Sequence, residues 1–301
     1  MPAIVAVRPE FREIVDLEAE AEKVAGGFVF TEGPVWDSRR DVLIFSDIPA
    51  DRMYEWSPDR GLRVLREPSG GANGNTIDAD GALLTCEHTN RRVSYGQPGG
   101  PVETLVDRYE GRRLNSPNDV VVSALGDVYF TDPPYGLRQP DGTFAPGELG
   151  FFGVFRFSPA TGVLTLLVDD FVRPNGIALS TDGRTLFVAD TDRAHVRAFD
   201  VTPDGPLANE RVFVHTEHEG VVARPDGIKL DERGNLYVTS SRPQGVWVYD
   251  PSGRLLGQIA VAENPANCGF GGEDWRTLFV TAQTSVYRVR LKVAGQPVPP
   301  R

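Results

Sequence analysis

The chain has 301 residues, 40% of them apolar, with 42 acidic residues against 31 basic ones and a formal net charge of −11. An excess of that sign repels a phosphate backbone and excludes nucleic acid as the expected partner, and no apolar run approaches the ~18 residues needed to cross a bilayer. Residues 1–10 lack the succession of basic, apolar and small residues that marks a secretory leader, so a cytoplasmic protein is expected.

Two extended candidates, residues 13–17 and 24–30, precede any repeated pattern. From Glu32 onward one unit recurs. Its clearest copy is Arg173-Pro-Asn-Gly-Ile-Ala-Leu-Ser-Thr-Asp-Gly-Arg-Thr-Leu-Phe-Val-Ala-Asp190, a short strand at 177–179, a turn at Asp182-Gly183 and a second strand at 185–189. Asp-Gly between two β-rich runs is a strong hairpin signal. Asn73, Asn118 and Asp226 open copies with glycine at the same offset, whereas Glu32 and Asn267 open looser copies without it. The six starts lie about forty to sixty residues apart, the period of a propeller when each unit holds four short strands.

Blade one runs to about residue 66, with outer strands at 52–56 and 62–65. Blade two adds 92–95 and 102–106, and blade three is lengthened by residues 133–150 before a strand at 153–157. Blade four carries extra residues at 202–210, and blade five is compact and ends near 261. Blade six shows only three strands, at 268–270, 277–281 and 285–291. An open edge invites aggregation, so the segment 4–27 is expected to supply the missing outer strand. The expectation is an all-β, six-bladed β-propeller with four antiparallel strands per blade, one domain over 1–301, closed by an N-terminal strand in the last blade.

In an up-and-down blade, the start of strand one, the end of strand two and the link to the next blade share one face. That face collects Glu32, Asn73, Asn118, Asn175, Asp226 and Asn267 at the channel mouth. It also collects Asp47, Glu87, Asp132 and Asp190 from second-strand ends, the loop 133–150, and the links 107–117 and 215–225. Residues 202–210 fall on the other face and are expected to be functionally quiet. Singly, Asn and Asp suit strand-entry turns. Together, a ring of acids and amides without counter-charge at these positions asks for a positive occupant. Hard oxygen donors favour Ca²⁺, Mg²⁺ or Mn²⁺ over a structural zinc.

Other residues have plainer readings. Asp47 and Asp190 suit backbone-bonding turns, Trp36 and Trp56 the core, and Cys86 and Cys268 the role of small buried apolar residues. His88 is a candidate substrate contact with a structural role as its alternative. The spacing of His215 and His218 resembles a metal pair, but without a helix to align them a structural role is expected.

Seven stretches then carry a resemblance: Thr31-Glu-Gly-Pro-Val-Trp36, Phe45-Ser-Asp-Ile-Pro49, Cys86-Glu-His88, Leu114-Asn-Ser-Pro-Asn-Asp-Val120, Tyr129-Phe-Thr-Asp-Pro-Pro-Tyr-Gly136, Arg173-Pro-Asn-Gly176 and Arg224-Pro-Asp-Gly227. In this order they resemble the senescence-marker-protein/gluconolactonase family of six-bladed lactonases, in its bacterial sugar-lactonase branch, over residues 25–293. The resemblance implies one divalent metal held by Glu32, Asn175 and Asp226, with Asn118 as a further ligand or a substrate contact. Ca²⁺ is expected first, then Mg²⁺, Mn²⁺, Zn²⁺ or Fe²⁺. It implies hydrolysis of a sugar lactone, such as glucono-1,5-lactone, to an aldonic acid, with Asp226 as ligand and general base; Asp132, on the same face, is the second candidate base. Ser116 stands where animal members of the family place a substrate-binding arginine, and the loop 133–150 obscures a glutamate. Arg113, Tyr135 and Glu148 are the candidate replacements. A monomer or small homo-oligomer is expected. Hydrolysis of a non-sugar lactone or organophosphate at the same site is the enzymatic alternative, and an interaction scaffold the non-enzymatic one.

Overall fold

The computed structural model describes residues 4–202 and 206–299, and these form six antiparallel sheets around a channel. The innermost strands are Thr31–Asp37, Ala72–Ile77, Val120–Val122, Pro174–Leu179, Pro225–Leu230 and Pro265–Gly271. Each packs on the next, and the last packs on the first, so the ring is closed. A blade inside the ring is covered on both faces, and its inner strands are therefore buried without alternation, as in Val42–Asp47. Outer strands meet solvent and turn polar, as in Gly61–Arg66.

Strand positions follow the repeat, and the loop inserted in blade three ends at Gly153–Ser158. The expected quiet loop 202–210 lies partly outside the described residues, at 203–205; blade four's last strand is Ala208–His215.

Closure is made from the N-terminal side, with two differences from expectation. Glu22–Gly26 pairs antiparallel with Ser285–Arg290 and supplies blade six's fourth strand. It ends before 27–30 because Gly27, at φ +95°, turns the chain toward the channel. Residues 13–17 form no strand. The 3₁₀ turn Pro9–Glu13 precedes a single bridge between Val15 and Leu291. Nor was Ile4–Ala6 foreseen: it adds a fifth strand to blade five, against Leu255–Ile259. Phe11, wholly buried, locks this segment down. It lies where a side chain at Gly257 would stand, so the glycine makes room for the ring. Burying a phenylalanine contributes roughly 2–3 kcal/mol, enough to secure three strand residues too few to hold by themselves.

Apolar clusters fill the gaps between blades. Trp36 stacks on Phe279 from blade six, with centroids 5.5 Å apart, and Trp56 meets the same ring edge-on, placing both tryptophans in the core. Cys86 and Cys268 are buried free thiols. Among the described residues no helix is long and apolar enough to cross a membrane.

Candidate active site

The register of the first hairpin in each blade sets the site. Thr31 lies opposite Asp47, Ala72 opposite Glu87 and Pro174 opposite Asp190, so first-strand starts and second-strand ends share one face. The Asp47 carboxylate accepts Val29 N and Phe30 N, both at 3.0 Å, and Asp190 accepts Val172 N at 2.9 Å and Arg173 N at 3.1 Å. These acids fix the link that enters the channel. Asp132 does the same. Its oxygens accept Asn115 N and Ser116 N, both at 2.7 Å, and Asn115 Nδ2 at 3.0 Å. Burial pushes its carboxyl up to about 7 against the pull of those donors. Committed to backbone and wholly buried, Asp132 anchors a link and is badly placed to take a proton from water in the mouth, which corrects the expectation of a second base.

Hydroxyls then stitch each blade to its neighbour. Ser46 Oγ donates to Asn73 O at 2.8 Å and Thr131 Oγ1 to Asn175 O at 2.8 Å, holding the backbone of two ring residues. The glycines that follow Glu32, Asn73, Asn175 and Asp226 complete the approach. A Cβ on Gly74 would stand 2.5 Å from Asn118 O, and one on Gly176 would overlap Asp226 O. Side chains at these positions would push the ring apart.

Glu32 and Asp226 face the channel together. Glu32 Oε2 accepts Gly33 N at 2.8 Å. Burial pushes the Glu32 carboxyl up to about 7; the Gly33 N–H opposes this, the charge of Asp119 adds to it, and the Asn267 amide and Lys229 oppose it. Burial also holds the Asp226 carboxyl well above the usual carboxylate range, the charge of Glu32 raises it further, and the Asn175 amide counters. Each acid thus feels the other, or Asp119, as a like charge in a desolvated place.

Asn175 Nδ2 donates to Thr191 Oγ1 at 3.0 Å and to Tyr135 Oη at 3.1 Å, and Tyr135 Oη donates to Thr191 Oγ1 at 3.1 Å. Thr191 Oγ1 in turn donates a hydrogen bond to Pro225 O at 2.7 Å. The amide is held by its nitrogen, which leaves its oxygen as the free acceptor. Asn118 is fixed by its backbone, N to Thr131 O at 2.9 Å and O from Gly74 N at 2.8 Å. Among the described residues its amide has no hydrogen-bond partner. Asn73 Nδ2 lies 2.9 Å from His88 Nε2, and burial pushes the imidazole down to about 4, so His88 is neutral.

The inserted loop divides the remaining candidates. Tyr135 reaches the ring through Asn175. Arg113 and Glu148 instead bond each other, Arg113 N to Glu148 Oε2 at 2.9 Å, while Arg113 Nη2 donates to Asn90 O at 2.8 Å. Glu148 is exposed, and among the described residues neither side chain bonds a ring residue. Ser116, at the position of the family's arginine, donates to Pro133 O at 2.6 Å and accepts Gly136 N at 2.9 Å, stapling the loop.

Three residues were missed. Thr191 follows Asp190 in the clearest repeat. Asp119 sits beside Asn118, 2% exposed. Lys229 is the sole basic residue of the six innermost strands. Its Nζ lies 3.0 Å from Ile228 O and 3.5 Å from both Asp119 Oδ2 and Asn267 Oδ1. The counter-charge absent from the ring positions stands one level below them.

Among the described residues no three His, Cys, Asp or Glu side chains gather as a metal cluster. The donor set here is of another composition, the carboxylates of Glu32 and Asp226 with the amide oxygens of Asn175 and Asn118. It fits a hard divalent cation: two repelling acids lack a full counter-charge, and two amides present oxygen. The opposite end of the channel holds a cavity of about 300 Å³, lined by Trp36, Leu179, Phe270 and Val298 and reaching Lys229. It lies away from the acids and amides.

Residues 30–284 match the family model described as SMP-30/Gluconolactonase/LRE-like region. The chain belongs to that family. It is 36% identical to the gluconolactonase of Zymomonas mobilis, across 95% of this chain and 85% of that protein. A solved gluconolactonase structure from Xanthomonas campestris is similar at a TM-score of 0.87 and 33% identity, covering 96% of this chain and 94% of that one. A calcium-binding regucalcin structure from Agrobacterium tumefaciens has the same fold, at a TM-score of 0.74 and 18% identity over 93% of this chain and 98% of its own. The family resemblance carried by the seven motifs is thus established.

Proposed function

We propose that this chain is a carboxylic ester hydrolase of the lactonase kind, opening sugar lactones such as glucono-1,5-lactone to aldonic acids. The observation that carries the reading is the pair of buried Glu32 and half-buried Asp226, set with the amides of Asn175 and Asn118 at one mouth of the channel. Two relatives similar over nearly the whole chain are named gluconolactonases, which supports the substrate class. The calcium-binding neighbour supports a divalent ion, with Ca²⁺ foremost.

Glu32, Asp226, Asn175 and Asn118 would hold the ion, which when bound supplies Lewis acidity toward the lactone carbonyl. Asp226 takes one proton from the attacking water as its oxygen bonds to the carbonyl carbon. The bond from that carbon to the ring oxygen breaks, and the proton passes to the leaving alkoxide. One water is consumed and one carboxylic acid forms. Asn118, with its free amide, and Tyr135 bind and orient the sugar hydroxyls, and neutral His88 holds Asn73 at the rim.

The test is a pH-indicator assay of glucono-1,5-lactone, pentonolactones, non-sugar lactones and an organophosphate ester. Chelator-stripped protein is assayed alone and with Ca²⁺, Mg²⁺, Mn²⁺, Zn²⁺ or Fe²⁺. Acid release above the spontaneous rate, restored by a divalent ion and greatest on sugar lactones, is expected. Silence across the panel together with absent metal binding in calorimetry would overturn the proposal.

A further inference from the structure

The charged side chains of the channel are few. The six innermost strands and Asp119 together carry Glu32, Asp37, Asp119, Asp226 and Lys229. Asp37 lies at the far end of its strand, where it accepts Arg39 N at 3.0 Å and Arg40 N at 3.2 Å and pairs with the Arg40 guanidinium at 3.8 Å. The other three acids share one neighbourhood: Glu32 feels the charges of Asp119 and Lys229, and Asp226 those of Glu32 and Asp119. Lys229 contacts Asp119 directly and Glu32 through Asn267.

We propose that Lys229 is an internal counter-ion that cancels the charge of Asp119 and leaves the channel two negative units, matching it to a divalent rather than a trivalent cation. This rests on the metal reading above and addresses what sets its selectivity. Three carboxylates face one ammonium, so the ionised site has the charge one divalent ion neutralises. Charge count is a main determinant of cation affinity in oxygen-ligand sites. The ammonium acts from below. Lys229 also lines the cavity at the opposite end of the channel, and its side chain keeps 20% of its exposure. It therefore approaches the acids without occupying the place of the cation.

The test compares Ca²⁺ and Tb³⁺ binding, by calorimetry and terbium luminescence, in chelator-stripped wild-type protein and four variants. Lys229→Met keeps the length of the stem and removes the charge, and should bind both ions more tightly, by at least about tenfold for Tb³⁺ and less for Ca²⁺. Lys229→Arg should behave as wild type. Asp119→Asn should weaken both ions, Tb³⁺ more. The double variant Asp119→Asn/Lys229→Met restores the original charge and should return both affinities to near wild type, which a merely structural role for Lys229 would not produce. The double variant and Asp119→Asn keep the test decisive should Lys229→Met alone fail to fold. Equal affinities in wild type, Lys229→Met and Lys229→Arg would overturn the counter-ion role. So would a double variant no closer to wild type than the single ones. Wild type binding neither ion would overturn the metal reading itself, a separate failure.

Discussion

The amide of Asn175 reaches the phenol of Tyr135 at 3.1 Å, tying the start of blade four to the loop inserted in blade three. One hydrogen bond of this kind contributes about 1 kcal/mol. Tyr135→Phe should therefore weaken metal binding by roughly fivefold while leaving the melting temperature nearly unchanged, measured by calorimetry and thermal denaturation. Unaltered affinity would show that Thr191 alone holds the amide.

Glu32 and Asp226 are the pair on which the proposed chemistry depends. Glu32→Ala and Asp226→Ala should each abolish turnover with the fold intact by circular dichroism. Each removes a buried like charge, so neither should lower stability in the presence of chelator. Asn175→Ala should lose activity mainly through metal affinity and recover part of it in excess metal. A loss that metal leaves untouched would assign Asn175 to the substrate.

Gly176 sits where the backbones of blades four and five approach, with Ile228 N only 2.6 Å from where a Cβ would stand. The obstruction is backbone, which cannot swing aside. Gly176→Ala should cost about 2–3 kcal/mol or more, read as a lowered melting temperature. It should also weaken metal binding, because Asn175 and Asp226 would be pushed apart.

His88 gives a pH dependence with a definite sign. Burial lowers its folded value from the ordinary 6.5 to about 4. Protonation of this group then favours the unfolded chain, so its contribution to stability is intact above about pH 6.5 and is lost as the pH drops from there toward about 4. The loss approaches roughly 3 kcal/mol. Across this window the urea midpoint of the wild type should drop relative to that of His88→Gln, which keeps a partner for Asn73. Parallel curves would mean that His88 titrates normally.

Two deletions separate the roles of the N-terminal segment. Removing residues 1–7 takes away the strand added to blade five and should leave a soluble ring of lower melting temperature. Removing residues 1–27 also takes away Glu22–Gly26 and exposes the edge of blade six. That chain should aggregate or unfold. A soluble, active product would show that closure by this strand is dispensable.

Much of the fold was legible because the repeat writes it out: a ring residue, a short apolar run and a turn. The N-terminal segment lies outside the repeat, and its placement depends on partners far along the chain. Ile4–Ala6 bonds to Leu255–Ile259, and nothing local in Ile-Val-Ala names that edge. At the mouth, Glu32, Asn175 and Asp226 share one repeat position and could be read together. Asp132 had the same face to recommend it, but which way its oxygens point is settled by Asn115 and Ser116. Arg113 and Glu148 likewise looked available until the loop folded them onto each other. Lys229 carried a readable signal, as the lone base among inner strands, but its meaning emerged only beside Asp119.

The closing strand has a consequence for how the molecule comes into being. Glu22–Gly26 leaves the ribosome before any blade is made, and its partner Ser285–Arg290 belongs to the last blade of the ring. During translation the blades can assemble one upon another, but the nascent arc keeps both ends unjoined until Ser285–Arg290 has emerged. A message truncated anywhere before blade six's last strand yields an arc with no means of sealing itself. The ring is thereby sealed by a segment made ahead of every blade, which waits unpaired until its partner strand exists.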